Sequence, residues 1–312
     1  MRLASIDIGT NTVLLLIADT NGSLKTVYED QKIIRLGKSV DADRCIGLDG
    51  FQKLVNVLTA YREPIQQYGC AHTIVAATSA LRDAGNRDEF IDRVCQATGF
   101  RIAVLSGDEE AQSTFFGGRM VLPQEEQLAE TFLIDIGGGS TEYIVGNGSR
   151  IHKKTSLDIG SVRLTERFIK HDPVVFKEED ILRNFIRTCL SEKLSDFSVP
   201  EGAVAIGVAG TVTTAATMAM SLTGYDWKKV NGYVLSTETV DRLIFDLRSK
   251  NLEGRQNIQG LHPDRADIIF AGLIILRESM AYFGFDDIVT SHFGLRHGLI
   301  HGYLLQSSKS EL

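Results

Sequence analysis

The sequence predicts an α/β protein built from two related halves. Three observations carry this. A strand that stops at a glycine turn and returns as a second apolar strand occurs at residues 4–17 and again at residues 131–145. Ile6-Asp7-Ile8-Gly9 returns as Ile134-Asp135-Ile136-Gly137, 128 positions later, with Thr12 matched by Ser140. That period is too long for a solenoid and indicates a duplicated unit. Short buried-strand patterns alternate with helical ones through both halves, and 312 residues suit two domains.

In the second copy the turn is Gly137-Gly138-Gly139-Ser140, followed by Thr141 and Glu142. Three successive glycines let backbone N–H groups converge with no Cβ in the way, which suits a phosphate. A turn over these four residues places Ile136 opposite Thr141 and Asp135 opposite Glu142. Two carboxylates opposed on one face repel unless something positive lies between them. A divalent cation with oxygen ligands, partly hydrated and shared with phosphate, resolves that repulsion. From one copy alone, a glycine hairpin with a solvated acidic face reads equally well; the recurrence favours a function. In the first copy (Gly9, Thr10, Asn11, Thr12) the position matching Glu142 is Leu14, so the metal belongs with Asp135 and Glu142. Each copy ends in an Asn-Gly turn, Asn21-Gly22 and Asn147-Gly148.

Composition narrows the function classes. Hydrophobic content of 43% and charged content of 23% describe an ordinary globular chain. A net charge of −7 without a basic stripe argues against nucleic acid, though a local pocket on an acidic protein still accepts an anion. Cys45, Cys70, Cys95 and Cys189 lack metal-ligand spacing, which fits a reduced, cytoplasmic protein. No apolar run reaches the roughly 20 residues that span a bilayer, and Met1-Arg2 leads straight into a strand, so neither membrane nor leader is expected.

Along the first half, residues 26–34 read as a strand. Phe51, Leu54, Val55, Leu58 and Tyr61 fall at helical spacing, and Pro64 is expected to kink or interrupt that helix. Residues 73–77 form a buried strand that runs into Thr78-Ser79-Ala80-Leu81-Arg82. Ser79 and Arg82 thus stand at a strand's C-terminal end, where open α/β sheets place ligand contacts; a solvated loop is the plainer reading of Arg82. Asn86 with Glu89 reads as a helix N-cap and Gly99 as its stop. After a strand at 102–105, Ser106 and Glu109 form a capping box. Glu109 then has a local task and Glu110 does not; alternatively all three acids there merely complement the helix dipole.

A polar connector at 123–130 sets the boundary, giving domains at 1–124 and 125–298, with a terminal helix at 299–312 returning to the first. Residues 151–155 are a strand, followed by a helix to about His171 whose first turn carries Arg163, a candidate phosphate contact or a surface arginine. Residues 178–193, 236–250 and 265–283 read as helices and 288–290 as the last strand. Residues 203–214 read as strand, glycine turn and helix N-terminus, where Gly210 and Thr211 favour an anion, although such glycines also serve packing. His297 and His301 are four apart on one helix with no third ligand and are taken as structural or surface residues.

Five stretches then occur in order: Asp7-Ile8-Gly9-Thr10-Asn11-Thr12, Ala77-Thr78-Ser79-Ala80-Leu81-Arg82, Ser106-Gly107-x-Glu109-Glu110-Ala111, residues 135–142, and Gly294-Leu295-Arg296-x-Gly298. Together they resemble the exopolyphosphatase/guanosine pentaphosphate phosphatase (Ppx/GppA) family over residues 3–304. The resemblance implies two duplicated actin-like, ribonuclease H-like α/β domains of the sugar kinase–actin superfamily, with a cleft between them. It implies Mg²⁺-dependent hydrolysis of terminal phosphates from polyphosphate, or of the 5′ γ-phosphate of guanosine pentaphosphate. On this chain the implied general base is Glu110, with Arg82 and Asp7 beside it, and the metal carboxylates are Asp135 and Glu142. Implied phosphate contacts are Thr10, Asn11, Thr12, Ser79, Gly137, Gly138, Gly139, Ser140, Thr141, Gly210 and Thr211.

Two departures accompany the resemblance. His297 stands where the family often has an acid, and the chain stops near residue 310, as in the short two-domain type. The alternatives on the same fold are a guanosine tetra- or pentaphosphate sensor and an ATP-dependent kinase of a small molecule. The sequence leaves open a homodimer and the choice between the two phosphate substrates.

Overall fold

The computed structural model describes residues 1–21, 23–37, 44–126, 128–148 and 150–310. Gly22, half of the first Asn-Gly turn, lies outside the described residues. The chain divides into two compact units, Met1–Gly117 with Gly294–Leu312, and Gly118–Phe293.

In chain order, the strands and helices up to Gly118 are β1 (Arg2–Ile8), β2 (Thr12–Asp19), β3 (Lys25–Ile33), α1 (Leu48–Gln67), β4 (His72–Ala77), α2 (Ser79–Asp83), α3 (Arg87–Thr98), β5 (Ala103–Val104) and α4 (Gly107–Gly118). From there follow β6 (Thr131–Ile136), β7 (Thr141–Gly146), β8 (Ile151–Leu157), α5 (Ser161–Phe168), α6 (Phe176–Lys193), β9 (Val204–Val208) and α7 (Ala209–Ala219). Next are α8 (Trp227–Val230), β10 (Val234–Ser236), α9 (Thr237–Arg248), α10 (Leu252–Gln256), α11 (Ile269–Phe283), β11 (Asp287–Thr290) and α12 (Leu295–Ser310).

Among the described residues the first unit carries one sheet, ordered β3-β2-β1-β4-β5. β1 runs antiparallel to β2 and parallel to β4. The second sheet, ordered β10-β11-β9-β6-β7-β8, contains the same arrangement: β6 antiparallel to β7, parallel to β9, with β10 added at the edge. Both units are therefore ribonuclease H-like, and the chain is a duplicated actin-like α/β protein.

Period-two alternation assigns each face of β1 a job. Ala4, Ile6 and Ile8, with Val13 and Leu15 of β2, pack against Leu54 and Leu58 of α1 and Phe90 of α3. Leu3 and Leu16 turn the other way, onto Ile300 of α12. Asp7 shares that second face by parity, which brings it to the first turn of α12, where Arg296 stands. In the second unit Phe132, Ile134 and Ile136 join a core with the almost wholly buried α11. Each such aliphatic or aromatic side chain contributes about 1.5–3 kcal/mol on burial. That helix carries one buried charge: Glu278 accepts from Arg187 Nε at 2.6 Å and from Arg183 Nη1 at 2.5 Å.

Two local expectations fail for identifiable reasons. α1 runs through Pro64 unbroken to Gln67. Pro64 sits in the last turn, so the helix loses one N–H bond close to an end where few remain. Asn86 stands at the N-cap of α3 but does not cap it. Its amide instead exchanges two bonds of 3.0 Å with the backbone N–H and C=O of Ile46. Gly99 ends that helix in the left-handed conformation, as its sequence position suggests.

Candidate active site

The first unit gathers Asp7, Thr10, Asn11, Ser79, Arg82, Glu110 and Arg296. In the β1–β2 turn Gly9 N–H donates to Thr12 C=O at 3.0 Å. Segment 34–37 then takes the loop's other carbonyls: Ile34 and Arg35 N–H donate to Asn11 C=O, each at 3.0 Å, and Gly37 N–H to Thr10 C=O at 2.8 Å. Arg35 adopts a positive φ of 54° to do so, a conformation that is unfavourable for a side chain and marks a strained turn. Ser79, at the start of α2, meets Thr10 hydroxyl to hydroxyl at 2.8 Å.

Glu110 lies in the first turn of α4, buried. The capping box forms as its sequence suggests: Glu109 Oε2 accepts from Ser106 N–H at 2.9 Å, and Ser106 Oγ accepts from Glu109 N–H at 3.2 Å. Glu109 is thus occupied, and Glu110 turns elsewhere. Arg82 Nη1 donates to Glu110 Oε2 at 2.7 Å and to Leu105 C=O at 3.1 Å. Burial pushes the Glu110 carboxyl above the usual range, and the Arg82 bond and charge oppose it. A helix N-terminus alone would make it a weak base; burial offsets that.

Asp7 is a buried carboxyl in this unit. Its Oδ1 is buried and has no hydrogen-bond partner. Burial, with the Glu110 charge adding to it, pushes the carboxyl up to about 7 against the pull of Arg296. Arg296 in turn donates to Leu15 C=O at 3.2 Å and lies 3.3 Å from Glu29. Between about pH 4, the ordinary aspartate value, and pH 7 the folded protein keeps a proton that the unfolded chain has released. Stability from this group therefore falls as pH rises through that window, by at most about 1.4 kcal/mol per pH unit. Denaturant midpoints at pH 5 and pH 7 are expected to differ in that direction for the wild type. The difference should shrink in Asp7→Asn; an unchanged difference would remove Asp7 as its source.

Helix α12 sets the depth of α4. A Cβ placed on Gly298 would lie 1.7 Å from Ser113 C=O, and one on Gly117 would lie 2.0 Å from Gly294 C=O. The two helices touch backbone to backbone, and both glycines are required by that approach. His297, next to Gly298, is fully buried.

In the second unit the register is the one the glycine turn predicts: Asp135 pairs with Glu142 and Ile136 with Thr141. In the first unit Asp7 pairs with Leu14. Glu142 is 1% exposed, and its Oε1 accepts from Ser156 Oγ at 2.7 Å. Ser156 pairs with Glu142 in the neighbouring strand β8, so Asp135, Glu142 and Ser156 form one row across three strands. Sequence reasoning missed Ser156.

The turn itself is pinned by α5. Ser161 N–H donates to Gly137 C=O at 2.9 Å, and Val162 and Arg163 N–H donate to Gly138 C=O at 2.9 and 3.1 Å. Arg163 Nε donates to Gly139 C=O at 2.7 Å. Arg163 is therefore bonded to the loop's own carbonyl. Ser140 and Thr141 are buried, and Thr141 Oγ1 donates to Ile159 C=O. Thr211, at the start of α7, donates to Ile136 C=O at 3.4 Å. Gly210 lies against Arg265, whose guanidinium a Cβ there would strike at 2.1 Å. Ala209 enters this turn at a positive φ of 66°. No glycine or asparagine signals that strain in the sequence.

Asp135, Glu142 and Ser156 form an all-oxygen donor set with two carboxylates. Among the described residues no group of three or more His, Cys, Asp or Glu side chains is arranged as a complete metal cage. Such a pair fits Mg²⁺, which keeps several waters and relies on one or two carboxylates plus substrate phosphates. All four cysteines are free, and no described helix is long and apolar enough to cross a membrane.

Two matched strand–glycine turn–strand arrangements, one in each sheet, define a class: a duplicated α/β protein of actin-like build. Comparison then gives the family. The Ppx/GppA phosphatase family model matches residues 15–307, and the chain belongs to that family of phosphoanhydride hydrolases. A Fusobacterium nucleatum protein named bifunctional 3-dehydroquinate synthase/phosphatase is 37% identical over 301 residues, 92% of this chain, which spans only 44% of that protein. Exopolyphosphatase 2 of Mycobacterium tuberculosis is 33% identical, with 96% of this chain and 97% of that one covered. The crystal structure of the Aquifex aeolicus Ppx/GppA family member superposes with a TM-score of 0.82 at 30% identity, covering 98% of each chain.

Proposed function

We propose that this protein removes terminal phosphates from inorganic polyphosphate, with Glu110 as general base, and that the glycine loop of each unit binds phosphate. The observation that carries the reading is the pair of matched loops. Each has its carbonyls bonded to a neighbouring segment, and one is flanked by the Asp135–Glu142 pair. Phosphoanhydride hydrolysis asks little covalent chemistry of a protein; positioning and charge neutralisation dominate.

Glu110, buried and held by Arg82, orients the attacking water and takes its proton. Arg82 fixes that carboxylate and adds positive charge near the transferring group. Thr10, Asn11, Thr12 and Ser79 in the first unit, and residues 137–141 with Gly210 and Thr211 in the second, bind phosphate oxygens. Asp135 and Glu142 would hold a divalent cation, which when bound would neutralise charge on the phosphates. Asp7 is a further polar contact for the hydrated shell of the substrate.

Guanosine pentaphosphate is the alternative substrate that the family resemblance implies. Phosphate release measured side by side on long polyphosphate, tripolyphosphate and guanosine pentaphosphate with Mg²⁺ separates the two. Faster release from polyphosphate is expected. Release from guanosine pentaphosphate alone would reassign the substrate, and binding of either without release would favour a sensor.

A further inference from the structure

We propose that Arg163, with Gly160 behind the loop, is a positioning residue for the second phosphate loop: it aims the loop's amides and does not itself bind phosphate. This rests on the reading of residues 137–140 as a phosphate loop. The carbonyls of Gly137, Gly138 and Gly139 all accept from the start of α5, the last of them from Arg163 Nε at 2.7 Å. In a trans peptide the C=O and the following N–H point in opposite directions. Pinning three successive carbonyls to α5 therefore turns the N–H groups of Gly138, Gly139 and Ser140 away from it. Among the described residues none of these three amides has an acceptor. An external anion supplies what they lack.

Two features make the clamp work. Gly160 allows the close approach: a Cβ there would lie 2.2 Å from Gly138 C=O and 2.4 Å from the Gly139 carbonyl carbon. Arg163 adds a charge-assisted bond, which polarises the Gly139–Ser140 peptide and strengthens Ser140 N–H as a donor. The guanidinium is committed on its other side too, with Nη2 3.9 Å from Asp158. Lysine keeps the charge but has no planar fork that bonds a carbonyl from a fixed direction.

The test uses full-length protein labelled with ¹⁵N-glycine and ¹⁵N-serine, free of substrate, and calorimetric titration with tripolyphosphate. In Arg163→Ala the Gly138, Gly139 and Ser140 amide resonances should move, and tripolyphosphate should bind at least about tenfold more weakly, the loss of one hydrogen bond to a charged group. Arg163→Lys should not restore binding. Gly160→Ala should weaken binding similarly with the guanidinium still present. Unmoved amides with binding lost in Arg163→Ala and regained in Arg163→Lys would make Arg163 a direct phosphate contact and overturn the proposal. Unchanged binding in both Arg163→Ala and Gly160→Ala would overturn it as well. Wild-type protein that binds no tripolyphosphate would instead sink the phosphate-loop reading, and the ligand-free amide shifts distinguish that failure from loss of the clamp.

Discussion

Glu110→Gln is expected to lower the turnover of phosphate release about 10²–10⁴-fold, the usual consequence of losing a general base. Tripolyphosphate binding should survive, because Gln occupies the same volume and the proposed phosphate contacts lie on other residues. The fold should survive too. The amide removes a buried charge whose desolvation already opposes ionisation, and Arg82 keeps its bond to Leu105 C=O. The remaining cost is one lost ion pair at a partly exposed arginine, 24% exposed at its side chain, which is small beside the catalytic term. Turnover and KM measured on tripolyphosphate decide it. A variant within a few-fold of wild type in turnover removes Glu110 from the chemistry.

The second large effect is expected far from the reacting groups in sequence. Gly298→Ala should cost roughly 10²-fold in turnover and lower thermal stability, with the larger fraction of its effect on turnover. Alanine gains about 1 kcal/mol over glycine in a helix interior. Here the added Cβ would sit 1.7 Å from Ser113 C=O, a backbone atom that no rotamer change moves. The helices must separate, an overpacking cost of about 1–3 kcal/mol, so strain wins over propensity. α4 carries Ser113 and Glu110 within one turn of each other, so a displaced Ser113 displaces Glu110. A misplacement near 1 Å is enough for a loss of about 10². Wild-type turnover and melting temperature in Gly298→Ala would show that α4 accommodates the methyl group and that this contact does not set the position of Glu110.

Whatever depends on neighbours in the chain is legible in the sequence. The Asp135–Glu142 pairing follows from counting outward from a four-residue turn, since register in a hairpin is fixed by turn length. The Ser106–Glu109 box is legible for the same reason, and it leaves Glu110 without any local task. Ser156 cannot be counted the same way. The β7–β8 pairing carries a register shift at Val145/Gly146, and a bulge breaks the parity on which counting depends.

Contacts between distant segments are the other blind spot. Asn86 has the identity and position of a cap, yet Ile46 offers it both a donor and an acceptor. An arginine on a helix's first turn beside a glycine loop has two ways to bond, so Arg163 reads equally as a phosphate contact. Only the backbone path shows that it bonds Gly139 C=O. Asp7 is visible as a motif residue, but its elevated carboxyl depends on Glu110 and Arg296, which the sheet and α12 bring to it. The backbone contact of Gly298 on Ser113 has no sequence signature beyond the glycine itself.

Each unit is proposed to bind phosphate through its own glycine loop. Titrating tripolyphosphate and Mg²⁺ into Asn11→Ala, Ser140→Ala and the double variant tests it most directly. Both single variants should bind more weakly than the wild type, and the double variant more weakly than either. If either single variant bound as the wild type does, the loop it alters would not be a phosphate contact, and that part of the account would be wrong.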